Sequence, residues 1–208
     1  MTVLFWNCRG EAKKELGRLL NSLVVKHRLQ MVVLLEPRTQ SKSYVSLMKK
    51  IKFDKYWVEE ANGFSGGIRI LWSSAWGNVD VRNQTNQMIH MNISLSSNQS
   101  FLCTAIYGSP REVERNTLWD DLKNLSRSIQ EPWLVGGDFN EIATVQEKIG
   151  GSAPNLSKCD LFASVLEDCN LGDLAFLDLY SRGRAPNGEI REGCIRDFIE
   201  WLQTYNGV

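Results

Sequence analysis

Short, strongly apolar runs that each stop abruptly at a polar residue set the terms on which this chain can fold. Val3–Asn7, Met31–Leu35 and Trp133–Gly137 are too short for buried helices and too evenly apolar for surface strands. Apolar runs of about four to eight residues between turn signals suit strands covered on both faces. Between the first two, Leu16, Leu19, Leu20, Leu23 and Val24 recur at helical spacing and predict a helix from about Glu11 to His27. Pro37 halts the second strand, and Ser41–Ile51 reads as another helix.

From Tyr56 to Ile106 the pattern changes to consecutive strands: Tyr56–Glu60, Ile68–Trp72, Val79–Arg82, Met88–Leu95 and Phe101–Ile106. Gly, Asn and Ser stand between them, which predicts an antiparallel meander. Ser109-Pro110-Arg111-Glu112 reads as a capping box with Pro at the first turn, opening a helix that carries Leu118, Leu122, Leu125 and Ile129. Ser157 precedes a helix with Leu161, Phe162, Val165, Leu166 and Cys169 inward, and Ile195–Gln203 reads as weakly helical. Nothing divides residues 1–208 by a linker or a repeat. The expected architecture is one α/β sandwich: two mainly antiparallel sheets face to face, with helices outside.

Composition removes several classes. With 43% hydrophobic and 23% charged residues the chain is neither disordered nor a coiled coil. No apolar run approaches the roughly 20 residues needed to span a bilayer, and the opening Met1–Asn7 lacks the basic and long apolar regions of a secretory signal. Five cysteines without a CxxC pair, and two histidines, suit neither a disulfide framework nor a zinc site. Net charge is zero. Residues 1–60 are nevertheless basic and residues 121–208 acidic, an asymmetry read as solvated helix faces in preference to a polyanion-facing third and an acidic third around a cation.

The chemistry sits where apolar runs stop. Asn7, Glu36, Tyr107 and the pair Asp138/Asn140 follow them directly. Residues two apart on a strand share a face, so Asp138 and Asn140 are expected side by side. Gly136 and Gly137 before them allow backbone or a ligand to come close. If these ends converge they bring together two carboxylates, two amides and a phenol, hard oxygen ligands for Mg²⁺ and neutral donors for a phosphate. Taken singly, an Asn or Asp after a strand is more often a turn or a cap.

Taken in order, Trp6-Asn7-Cys8-Arg9-Gly10, Leu35-Glu36-Pro37, Ser65-Gly66-Gly67-Ile68, Ile106-Tyr107-Gly108-Ser109-Pro110 and Gly136-Gly137-Asp138-Phe139-Asn140 resemble the endonuclease/exonuclease/phosphatase family. Tyr107–Leu122, Glu147–Gly151, Leu166–Leu174 and Ser181–Arg184 are similar to the endonuclease domain of plant non-LTR (LINE-type) retrotransposons. The resemblance implies a DNase I-like four-layer α/β sandwich, DNA as partner, Mg²⁺ (or Mn²⁺) as cofactor, and an intracellular, nuclear monomer. It implies that Glu36 ligates the metal and Asn7 orders the metal site. Tyr107 would contact the scissile phosphate or its leaving oxygen, Asp138 would orient and activate water, and Asn140 would hold phosphate oxygens.

The family pattern also includes a C-terminal Ser-Asp-His, and this sequence has no Asp-His dipeptide. Asp197 stands shifted from the family's Arg-Leu-Asp, and Leu177-Asp178-Leu179-Tyr180 replaces a Phe-Thr-Trp strand. The expectation is a sandwich lacking its final strands. Three readings follow: a Mg²⁺-dependent DNA-nicking hydrolase impaired by the missing dyad, a non-catalytic remnant that binds DNA or metal weakly, and a small-molecule phosphatase.

Overall fold

A computed structural model describes residues 2–8, 13–37, 42–59, 67–148, 152–172 and 194–197. Strands β1 (Thr2–Asn7) and β2 (Met31–Leu35) are joined by helix α1 (Lys13–His27); helix α2 (Lys42–Ile51) then leads to β3 (Lys55–Glu59) and β4 (Ile68–Trp72). Next come β5 (Gly77–Gln84), β6 (Met88–Leu95), β7 (Ser100–Tyr107), α3 (Glu112–Ser126), β8 (Trp133–Asp138), α4 (Leu156–Asp168) and β9 (Cys194–Asp197). One sheet has the order β3-β4-β2-β1-β9 and the other β5-β6-β7-β8.

Side-chain alternation explains why two sheets stack between helices. On the first sheet Val3, Phe5, Met31, Val33, Leu35, Ile68, Ile70 and Trp72 turn one way, toward Ile89, Met91, Ile93, Phe101, Cys103 and Ala105 of the second. Their neighbours Leu4, Trp6, Val32, Leu34 and Leu71 turn the other way, onto Leu16, Leu20 and Leu23 of α1 and Leu47, Met48 and Ile51 of α2. Met88, Ile106 and Val135 do the same for α3 and α4 through Leu118, Trp119, Leu122, Phe162 and Val165. Strands buried on both faces therefore appear in the sequence as unbroken apolar runs. Four layers result, the α/β sandwich expected.

Several local expectations change. The run from Tyr56 to Ile106 is not one meander: β3 and β4 pair antiparallel in the first sheet, while β5, β6 and β7 form an antiparallel ribbon in the second. β1 pairs with β2, and β7 with β8, in parallel, across the helical crossovers. Helix α3 starts one residue after Arg111, whose side chain makes no cap bond, and ends at Ser126, so Ile129 lies beyond it. Ser109 does not form a box with Glu112. Its hydroxyl accepts from the Arg111 N–H at 3.1 Å and donates to Glu114 at 2.7 Å. Asn155, not Ser157, caps α4 by accepting the Lys158 N–H. Ile195–Asp197, read as the start of a weak helix, instead form with Cys194 a strand antiparallel to β1; a strand partner so distant in sequence leaves no local signal. The motifs at Arg9-Gly10, Ser65-Gly66, Ile149–Gly151, Leu177–Tyr180 and Ser181–Arg184, together with Phe198–Gln203, lie outside the described residues.

Candidate functional site

The inter-sheet layer ends in polar groups because its alternation simply runs on. Phe5 lies over Gly136, where an added Cβ would come within 2.8 Å of the Phe5 ring. Lacking a side chain there, β8 lets β1 approach closely. Two residues further along each strand, on the same face, stand Asn7 and Asp138, and the Asn7 Nδ2 donates to the Asp138 Oδ2 at 2.6 Å. Tyr107 lies beside Asp138 in the β7–β8 register, and Asn7 beside Leu35 in β1–β2. The Tyr107 hydroxyl donates to the Glu36 carboxylate. Both contacts cross from one sheet to the other, so four strands from separate parts of the chain deliver their carboxyl ends to one seam.

Two of these residues hold left-handed backbone. Glu36 has φ 53° and Asn140 φ 51°, a conformation that costs a non-glycine residue roughly 1–3 kcal/mol and collects at functional sites. At Glu36 it turns the chain sharply out of β2, with the Glu36 N–H donating to the Gly67 carbonyl at 3.2 Å. At Asn140 it corrects the expectation of two side chains on one strand face. β8 ends at Asp138. Asn140 is near it because its backbone N–H donates to Asp138 Oδ1 at 3.0 Å, an Asx-type turn. Its side chain swings to the loop after β7 and donates from Nδ2 to the Gly108 carbonyl at 2.7 Å.

Phe139, between them, faces the other way. Its ring packs against Phe162 and Trp119 at centroid separations of 5.2 and 6.4 Å, which anchors the turn in the α3–α4 core. The close approaches expected at the double glycine are made by the chain itself: Phe5 at Gly136, and the Ile106 carbonyl at Gly137, whose φ is +142°.

All five strand-end residues named from the sequence thus meet along one seam. Asn7, Glu36, Asp138 and Asn140 are half-buried and Tyr107 is buried. Among the described residues no cluster of three His, Cys, Asp or Glu forms a closed metal cage. Two carboxylates flanked by amides and a phenol suit Mg²⁺, which is usually held through one or two carboxylates, with water and substrate phosphates completing its shell. Neither histidine joins them. His90 is buried in the second sheet, its Nδ1 2.8 Å from the Thr104 hydroxyl and its ring edge-on to Trp133. His27 sits in the last turn of α1.

One group of residues escaped the sequence reading. Arg115 lies in the apolar stripe of α3, three, four and seven residues before Leu118, Trp119 and Leu122, and is buried with them. It pairs with Glu141 at 2.7 Å. A cation within an apolar helical stripe was the available signal.

No family model and no curated protein matches this chain. Solved structures do. The endonuclease domain of TRAS1, a telomere-specific non-LTR retrotransposon, superposes with a TM-score of 0.62 at 15% identity, over 93% of this chain and 82% of that one. The AP endonuclease LMAP from Leishmania major gives 0.61 at 10% identity, over 93% and 78%. D. rerio TDP2, solved with a single-strand DNA product, gives 0.52 at 12% identity, over 94% and 82%. The chain has the DNase I-like fold of the endonuclease/exonuclease/phosphatase proteins.

Proposed function

We propose that the strand-end seam is the site of a divalent-metal-dependent phosphodiester hydrolase of retroelement origin that nicks DNA, with turnover held low because no histidine stands in it. The observation that carries this reading is the pair of cross-sheet contacts, Asn7 to Asp138 and Tyr107 to Glu36. Support for DNA and for a retroelement comes from the superposition on the TRAS1 endonuclease domain and on a TDP2 solved with a DNA product.

Glu36, with Asn7 beside it, would hold Mg²⁺ or Mn²⁺. A bound divalent cation supplies positive charge next to the phosphate oxygens. Asp138 takes the proton of the attacking water, and the N–H groups of Asn7 and Asn140 fix its two oxygens in place for that task. Asn140 gives one Nδ2 proton to the Gly108 carbonyl, and its second would donate to a phosphate oxygen. Tyr107 offers its hydroxyl near the leaving oxygen.

Without a histidine the leaving oxygen is protonated by solvent, and loss of a positioned acid lowers such rates by about 10²–10⁴-fold. A second reading, in which the seam binds cation and DNA without cleaving, is favoured by the placement of His90 in the second sheet and His27 in the last turn of α1, both away from the seam. Relaxation of supercoiled plasmid in Mg²⁺ separates the two. Slow nicking that Asp138→Ala abolishes supports the hydrolase. Nicking no faster than that of Asp138→Ala leaves only the binding reading.

A further inference from the structure

Behind the seam lies a buried polar clamp that none of the five strand-end residues supplies. The Arg115 side chain is only 6% exposed and holds two partners at once: Glu141 at 2.7 Å and the Ser109 carbonyl at 2.6 Å. Ser109 comes two residues after Tyr107, and Glu141 directly follows Asn140. One guanidinium therefore grips both loops that leave the strands carrying Tyr107 and Asp138.

Gln87 secures the first of these loops from the other side. Its Oε1 accepts the Ser109 N–H at 2.6 Å, its Nε2 donates to the Glu114 carbonyl at 2.7 Å, and its own carbonyl accepts the Tyr107 N–H at 2.8 Å. Between the loops, the Gly108 N–H donates to the Asp138 carbonyl at 2.8 Å. The fit is close: a Cβ at Gly108 would lie 2.4 Å from the Phe139 carbonyl oxygen.

A buried ion pair is a poor way to add stability, because desolvation offsets the attraction and an apolar residue of similar size serves as well. In the stripe of Leu118, Trp119 and Leu122 a leucine would pack. What only a planar, two-pronged cation provides is a fixed distance and angle between two acceptors.

We infer that Arg115 is a positioning residue of the proposed hydrolytic site, bridging the Ser109 carbonyl and the Glu141 carboxylate to set Tyr107 against the Asp138–Asn140 turn. The inference rests on the reading of the seam given above, and its test is built to fail separately from it. Arg115→Leu, Arg115→Lys and Glu141→Gln are compared with the wild type by plasmid-nicking kinetics well below each melting temperature, and by the Asn140 side-chain amide resonances, identified through Asn140→Asp.

Arg115→Leu and Arg115→Lys should lower kcat by about 10–100-fold with KM within about two-fold, since displacements near 1 Å cost that much. They should also shift the Asn140 amide. Glu141→Gln, which keeps a neutral acceptor, should move both readouts less. An unmoved Asn140 amide with unchanged kcat overturns the inference and leaves Arg115 a structural residue. If the wild type does not nick, the hydrolase reading fails, and the amide alone decides: shifted in the Arg115 variants it supports the clamp, unshifted it refutes it. Should Arg115→Leu not fold, Arg115→Lys carries the same outcomes.

Discussion

At one end of the sandwich β1, β2, β7 and β8 run out into Asn7, Glu36, Tyr107 and Asp138. At the other end the chain passes Gln30 and Ser73, β6 stops at Leu95, and α1 and α2 finish at His27 and Ile51, directly before Arg28 and Lys52. The second end holds an open hollow of about 870 Å³, walled by Val24, Val25, Leu29, Phe53, Trp76 and Leu95, with Arg28 and Lys52 on its lining and, among the described residues, no Asp or Glu. Arg28 and Lys52 are left-handed, at φ 51° and 58°, and each ends a helix by letting the next residue bond back: Leu29 N–H to Val24, Phe53 N–H to Met48. There the departures from ordinary backbone close helices. At the first end they aim a carboxylate and an amide at the seam. Volume marks one end and convergent oxygen donors the other, and only the donors bear on phosphate chemistry.

Substitutions at the two ends should diverge in size and in kind. The largest change in stability is expected from Phe5→Ala, which empties the contact over Gly136. A loss of about 3–5 kcal/mol is expected in urea unfolding, with the Asn7–Asp138 contact loosened as well. Next comes Gly136→Ala, whose added methyl would press on the Phe5 ring at 2.8 Å. Overpacking of this kind costs about 1–3 kcal/mol. In the double variant the two effects should fall short of additivity, because the alanine at 136 then fills space that Phe5 has vacated.

His90 gives a smaller, pH-dependent effect. Burial, and secondarily the charge of Arg82, hold its pKa below the ordinary 6.5. The unfolded chain therefore binds the proton more readily. The stability contributed by neutral His90 is complete above 6.5 and declines as pH falls toward the folded value. The margin of the wild type over His90→Gln should accordingly narrow as pH is lowered from about 7 to 5 in thermal unfolding, while any DNA nicking per folded molecule stays equal. The smallest effect belongs to the hollow: Val25→Ser, at a side chain 71% exposed, should shift stability by no more than about 0.5 kcal/mol and leave nicking unchanged. A nicking defect there would overturn the division between the ends.

Much of this was legible in the residues. Met31–Leu35, Ile68–Trp72 and Met88–Leu95 appear with the bounds read from the residues; in Met31–Leu35, covered on both faces, no polar residue blurs the ends. Asn7, Glu36, Tyr107 and Asp138 were visible because each stands directly after a strand run, and Asn140 because it follows Asp138 by two residues. What escaped was non-local. Both sheets carry the same alternation, so nothing at Ser73–Trp76 announces that the chain leaves one sheet for the other. Asn140 reaches Asp138 through a turn that its neighbours do not reveal, and Arg115 finds its carboxylate 26 residues away. Helix α4 begins at Leu156, before Ser157 rather than after it, because Asn155 is an equally good cap residue.

The proposed function stands on Glu36 and Asn7 holding one divalent cation beside Asp138, on the seam between the sheets. Titrating the ¹⁵N-labelled protein with substoichiometric Mn²⁺ tests it most directly. Selective broadening of the Asn7 and Asn140 side-chain amides is expected, removed by excess Mg²⁺ and absent in Glu36→Gln. Broadening centred elsewhere in the molecule, or none at the seam, would contradict it.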